Sequence, residues 1–201
     1  MEEKSAFDIL VENLSELGLT PQTHITNQTF IVPGQGRFLN TKFVFVEIDS
    51  LYFVAYDTYS TKAHTSNTFT GIYATIDLPT NMECKIYIKH SWLDFFLYVK
   101  KRKAGVRYID DNLTIVGSSK EMPISNLSAN SVDLFLRLND KKAPPFQLII
   151  QNDYLPMINP LKEKKIVGVE IREWIYLKPD LMSLIDNGQK LIRNIKSELV
   201  K

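Results

Sequence analysis

The sequence predicts an α+β chain: a largely antiparallel sheet of about six to eight strands packed against three or four helices. Two patterns carry that expectation. Between Thr29 and His90, apolar residues recur at every second position in runs short enough for hairpins. In 5–17, 124–138 and 181–199 they recur at spacings of three and four, as on one face of a helix. Length sets the domain count: 201 residues, 44% hydrophobic and 23% charged, fit one globular unit. The expected organisation is a single domain over 1–201, with an N-terminal helix in 1–20, a sheet with inserted helices in 29–178 and a C-terminal helix in 180–200.

Residues 5–17 form the first expected helix. Phe7, Leu10, Val11, Leu14 and Leu17 share a face, Ser5 caps the start and Gly18 ends it in a left-handed conformation. The opposite face is acidic (Glu2, Glu3, Asp8, Glu12, Glu16), which solvation explains better than a basic partner does. Phe30–Val32 is a short strand ended by Pro33-Gly34. Lys42–Ile48 and Leu51–Asp57 are apolar on both parities, which marks central strands, and Asp49-Ser50 turns one into the other. Thr58–Thr70 is rich in Thr and Ser and reads as a long hairpin tip or a binding loop, with connection the better account.

Thr70–Leu78 alternates, with Ile72, Ala74, Ile76 and Leu78 inward and Tyr73, Thr75 and Asp77 outward. Glu83–Lys89 places Cys84, Ile86 and Ile88 inward. Helix and strand compete over 91–103; the pattern of Trp92, Phe95, Phe96 and Val99 leans to helix, and Asn112–Val116 follows as a strand. Residues 124–138 form a helix. Phe146–Ile150 and Tyr154–Ile158 pair about Asn152-Asp153, and Lys165–Leu177 is a long strand. Pro179-Asp180 opens the last helix, whose apolar stripe tolerates Gly188 at a cost of about 1 kcal/mol against alanine.

The start, MEEKSAFDIL, lacks a leader pattern, and no run approaches the ~20 apolar residues of a membrane span, so a cytoplasmic location is expected. One cysteine excludes an intrachain disulfide and a zinc site built on several thiolates. The three histidines show no metal-ligand spacing, and no metal or cofactor is expected. Cys84 and His90 sit too far apart along a strand to form a nucleophile–base pair, and Cys84 reads as a core residue. Asp110-Asp111-Asn112 reads as a turn at a strand start rather than a calcium loop.

Two features suit binding. Gly34-Gln-Gly36-Arg37 offers backbone N–H groups and the Arg37 guanidinium to an anion, although a plain turn accounts for it. Residues 1–60 carry three basic and eight acidic side chains, a net of −5, so the rest carries +6, densest at Lys100, Lys101, Arg102, Lys103 and Arg107. With the aromatics of 92–98, that segment suits a membrane interface or single-stranded nucleic acid. The bland alternative is a core element followed by a solvated turn, and there is no strong nucleic-acid signal. Glu173 is the candidate buried carboxylate, because on a regular Lys165–Leu177 strand it shares a parity with Val167, Val169, Ile171 and Ile175. A bulge, or a strand that ends early, would instead turn it to water.

The Gly34-Gln-Gly36-Arg37 turn before a run of strands, the strand Leu113-Thr-Ile-Val-Gly-Ser-Ser119, and the closing strands and helix from Phe146 onward are similar to those of an uncharacterised bacterial family of α+β domains of unknown function. The resemblance implies a fold and no chemistry. Members often carry an N-terminal membrane helix, of which this sequence shows none. The favoured function is a non-enzymatic binding or protein-interaction module, engaging a protein partner or a second copy of the chain. The alternatives are an enzyme with a site assembled from scattered polar residues, and a peripheral membrane or nucleic-acid binder using 92–107.

Overall fold

Asp49 and Ser50 both take positive φ, 48° and 65°, the twist that lets a two-residue turn close a tight hairpin. The turn joins β3 (Gly36–Ile48) to β4 (Leu51–Ser60), and the sheet grows outward from this pair. The structure, a computed structural model, describes residues 4–26, 30–32, 36–60, 65–79, 82–89, 101–117, 123–140, 142 and 144–200. The other strands are β1 (Gln22–Thr26), β2 (Phe30–Val32), β5 (Thr65–Thr75), β6 (Cys84–Ile88), β7 (Lys101–Arg102), β8 (Leu113–Gly117), β9 (Gln147–Asn152) and β10 (Lys165–Ile171). They form one sheet of ten strands in the order β1-β3-β4-β5-β10-β9-β6-β8-β7, with β2 paired to β3 off that path. Each registered pair is antiparallel. The described helices are α1 (Ala6–Glu16), α2 (Arg107–Asn112), α3 (Ala129–Leu138) and α4 (Lys178–Leu199). None is long and apolar enough to cross a membrane.

One face of the sheet carries the helices. Leu10 and Leu14 of α1, Val132 and Phe135 of α3, and the Leu181–Leu199 stripe of α4 bury against Val44, Phe53, Ile72, Ile86, Leu148 and Val169. Ser5 caps α1 and Ser128 caps α3, each accepting a backbone N–H in the first turn. Glu198 of α4 reaches back to Ser128 and Ser131, tying the two helices together. Gly188 is required by contact: a Cβ there would lie 2.9 Å from Ile72 Cγ1, so α4 sits closer to the sheet than a larger residue permits.

The opposite face carries a second core. Phe43, Val54, Tyr56, Phe69, Tyr73, Ile149 and Ile166 point away from the helices, and Tyr154, Leu155, Met157, Ile158 and Leu161 of the β9–β10 connection cover them. Burial on both faces explains why β3, β4, β5 and β10 are apolar on both parities.

The α+β class holds, with more strands than expected. The added strand β1 has no clear alternation, and β7 is two residues long. Lys101–Arg102 are strand, against the lean to helix; 91–100 lie outside the described residues, as do Gly34 and Gln35 of the turn expected at Gly34-Gln-Gly36-Arg37, whose Gly36 and Arg37 instead begin β3. The Thr58–Thr70 loop is strand at 58–60 and 65–70. Tyr154–Ile158 is no strand. Asp153 takes a φ of 43° and Pro156 lacks an N–H, so the segment folds over the second core and ends in a 3-10 turn, Asn159–Leu161. Asp110-Asp111-Asn112 ends α2, and Asp110 accepts the backbone N–H groups of Ala104 and Gly105. Tyr73, expected outward, is fully buried in the second core.

Cys84 lies inside as its parity requires, and burial pushes its thiol up to about 12. A thiol reagent should label it at the rate of global unfolding. Rapid labelling of the native protein would show that β6 has the opposite phase.

Candidate functional site

On β10 the second core meets a buried acid, Glu170. Glu170 pairs with Gly71 of β5 and Gln147 of β9, and Gly168 pairs with Tyr73. A Cβ on Gly168 would lie 2.3 Å from Tyr73 Cδ1, and one on Gly71 would lie 2.8 Å from Tyr73 OH. The two glycines therefore let the Tyr73 ring lie flat on the strands, which brings its hydroxyl to the carboxylate. Tyr73 OH donates to Glu170 Oε2 at 2.6 Å; Gln147 Nε2 and Tyr154 OH donate to Oε1 at 2.6 and 2.8 Å. Tyr56 OH donates to Tyr154 OH at 3.5 Å.

Glu170 is fully buried. Burial pushes its carboxyl above the usual carboxylate range, against the opposing pull of its hydrogen bonds and of Lys85. Burial and the neighbouring Glu170 push Tyr73 and Tyr154 well above the tyrosine range, and burial lowers Lys85. Glu170 and its three donors line none of the described grooves and join β5, β9, β10 and the β9–β10 connection within the second core.

The same face opens at its far end. A groove of about 390 Å³ lies between Gln22, Thr23 and His24 of β1, Phe43 and Phe45 of β3, and Pro156, Met157, Asn159 and Lys162 of the β9–β10 connection. His24 leans on Phe43 with ring centroids 5.1 Å apart. On the helix face of β1, a groove of about 340 Å³ is lined by Thr23 and by Lys4, Phe7, Asp8, Val11 and Glu12. A third, of about 320 Å³, lies between α3 and α4, near the 2.7 Å ion pair of Lys142 with Asp180.

The expected site residues do not converge. Arg37 is in β3, paired with Ile31 near one end of the sheet, whereas Lys101 and Arg102 form β7 at the other end. Lys101, Arg102 and Lys103 are exposed. Arg107 is 95% exposed and 3.5 Å from Asp111. Lys100 lies outside the described residues. Glu173 is corrected: β10 ends at Ile171, and Glu173 is half-buried beyond it, where its backbone carbonyl accepts from Thr70 Oγ1 at 2.7 Å. The sealed carboxylate is Glu170, on the opposite parity to Glu173. Its signal in the sequence was the small residue Gly168 two positions earlier, matched by Gly71 two positions before Tyr73.

Comparison with protein-family models, with curated proteins and with solved structures finds no match.

Proposed function

We propose that the chain is a non-enzymatic binding module whose ligand occupies the groove between β1, β3 and the β9–β10 connection. The observation that carries this reading is the composition of that groove: Phe43, Phe45 and Met157 offer apolar surface, and Gln22, His24, Asn159 and Lys162 offer convergent polar groups. The groups that chemistry would need support it from the other side. Cys84 is buried with its thiol pushed up to about 12, and Glu170 is sealed under Tyr154. Lys101 and Arg102 have a role of their own, because charged side chains on a short strand discourage pairing at that edge.

The test is a selection from a random decapeptide display library, followed by amide chemical-shift mapping of recovered peptides. Shifts should cluster at Gln22–His24, Phe43, Phe45 and Met157, and Phe45→Ala should weaken binding by tenfold or more. Recovery of no peptide, or shifts confined to the Lys101–Arg107 edge, would overturn the proposal. In the second case, binding to anionic vesicles would favour the membrane alternative.

A further inference from the structure

Resting on that reading, we infer that β1 receives an extended segment of a partner protein as an added strand, with acidic side chains on alternate positions. The two edges of the sheet differ. At one end, β7 comprises Lys101–Arg102 among the described residues, and Lys101, Arg102 and the following Lys103 are exposed. At the other, β1 is five residues long, carries no Lys, Arg, Asp, Glu or Pro, and has no strand on its outer side among the described residues. In an antiparallel pair, alternate residues direct both backbone groups to the partner and the others direct both away. The outward groups of β1 are therefore a template for another strand.

A groove flanks that edge on each face, so an added strand would send successive side chains alternately into the two. On the helix face the charges are balanced. Lys4 is 2.8 Å from Glu12, Asp8 accepts from Ser5, and the Lys42 ammonium lies 4.0 Å from the Phe7 ring centroid. What remains there for a docked side chain is the apolar surface of Phe7 and Val11. On the other face no carboxylate is among the lining residues, which include Lys162 and His24. Lys162 is 3.9 Å from Glu163, a pair exposed enough to exchange for a better-placed carboxylate. Charge complementarity thus selects acidic residues on one parity and apolar residues on the other. It also separates a partner from a second copy: β1 is Gln-Thr-His-Ile-Thr, and pairing it with itself brings no carboxylate to Lys162.

The experiment uses two fluorescein-labelled nonapeptides, one of alternating glutamate and valine and one of alternating lysine and valine, with the full chain. At low salt the glutamate peptide should bind at least tenfold more tightly than the lysine peptide. Added salt should shrink that preference, and Lys162→Glu, a surface change, should abolish or reverse it. N-methylation along the glutamate peptide should abolish binding at every second position and leave it unchanged at those between. Equal binding of both peptides would overturn the acidic specificity. Insensitivity to N-methylation, or binding of neither peptide while library peptides still map to the groove, would overturn strand addition and leave the binding reading standing. A sedimenting dimer dissociated by Ile25→Lys would assign the edge to a second copy and overturn the inference.

Discussion

Replacing Glu170 with alanine should cost about 3–5 kcal/mol of folding stability, at the upper end for single substitutions. The change removes the acceptor of Tyr73 OH, Tyr154 OH and Gln147 Nε2 together, inside a core that water does not reach. A buried donor left without a partner costs about 1–3 kcal/mol. Glu170→Gln separates charge from hydrogen bonding, because it keeps an acceptor oxygen and loses the titration. The folded protein holds the Glu170 carboxyl above its ordinary range, so in the folding range it binds a proton that the unfolded chain has released. That contribution is complete below the ordinary carboxylate pKa and is lost as pH rises through the raised value. Denaturant titrations should therefore show the advantage of the wild type over Glu170→Gln shrinking from acid toward neutral pH, by at most about 1.4 kcal/mol per pH unit. A difference independent of pH would mean that the carboxyl is not perturbed.

Gly168→Ala has the second large effect, and its sign is the informative part. In the interior of a strand, alanine is ordinarily better than glycine by about 0.5–1 kcal/mol. Here the added carbon would lie 2.3 Å from Tyr73 Cδ1 and 2.8 Å from Cε1, so the ring must leave its place over β10 and its hydroxyl must leave Glu170. A loss of about 2–4 kcal/mol is expected, in the range of overpacked or broken core networks. Placed in a Tyr73→Ala background, the same substitution should cost far less, because the colliding ring is gone. A double-mutant cycle reads that coupling directly. An additive cycle would show that Tyr73 does not rest on Gly168.

Helices α1, α3 and α4 were legible in the sequence because each presents a single apolar stripe, whereas α2, six residues long and without a side-chain cap, was not. Ser5, Gly18 and the Leu181–Leu199 stripe do what their spacing implies. The strands were legible where both parities are apolar, as in Phe43–Ile48. The reading failed where a polar or small residue stands at a buried position. Gly168, Glu170 and Tyr73 look like an outward face because nothing local states that the β9–β10 connection folds back over them. For the same reason Glu173 drew notice that belonged to Glu170. The strand ends at Ile171, and Thr70 Oγ1 meets the next turn by donating to the Glu173 carbonyl and accepting the Ile175 N–H. The groove was not legible, because it joins β1, β3 and residues 156–162, which no sequence spacing connects.

Hydrogen exchange along β1 tests the binding account most directly. In the free chain, the amides of Gln22–Thr26 that bond to β3 should exchange slowly and the alternate ones quickly. A bound peptide should slow the fast set within β1 and change little at Lys101–Arg102. Unchanged exchange throughout Gln22–Thr26 in a saturated complex, with slowing elsewhere on the chain, would contradict the account.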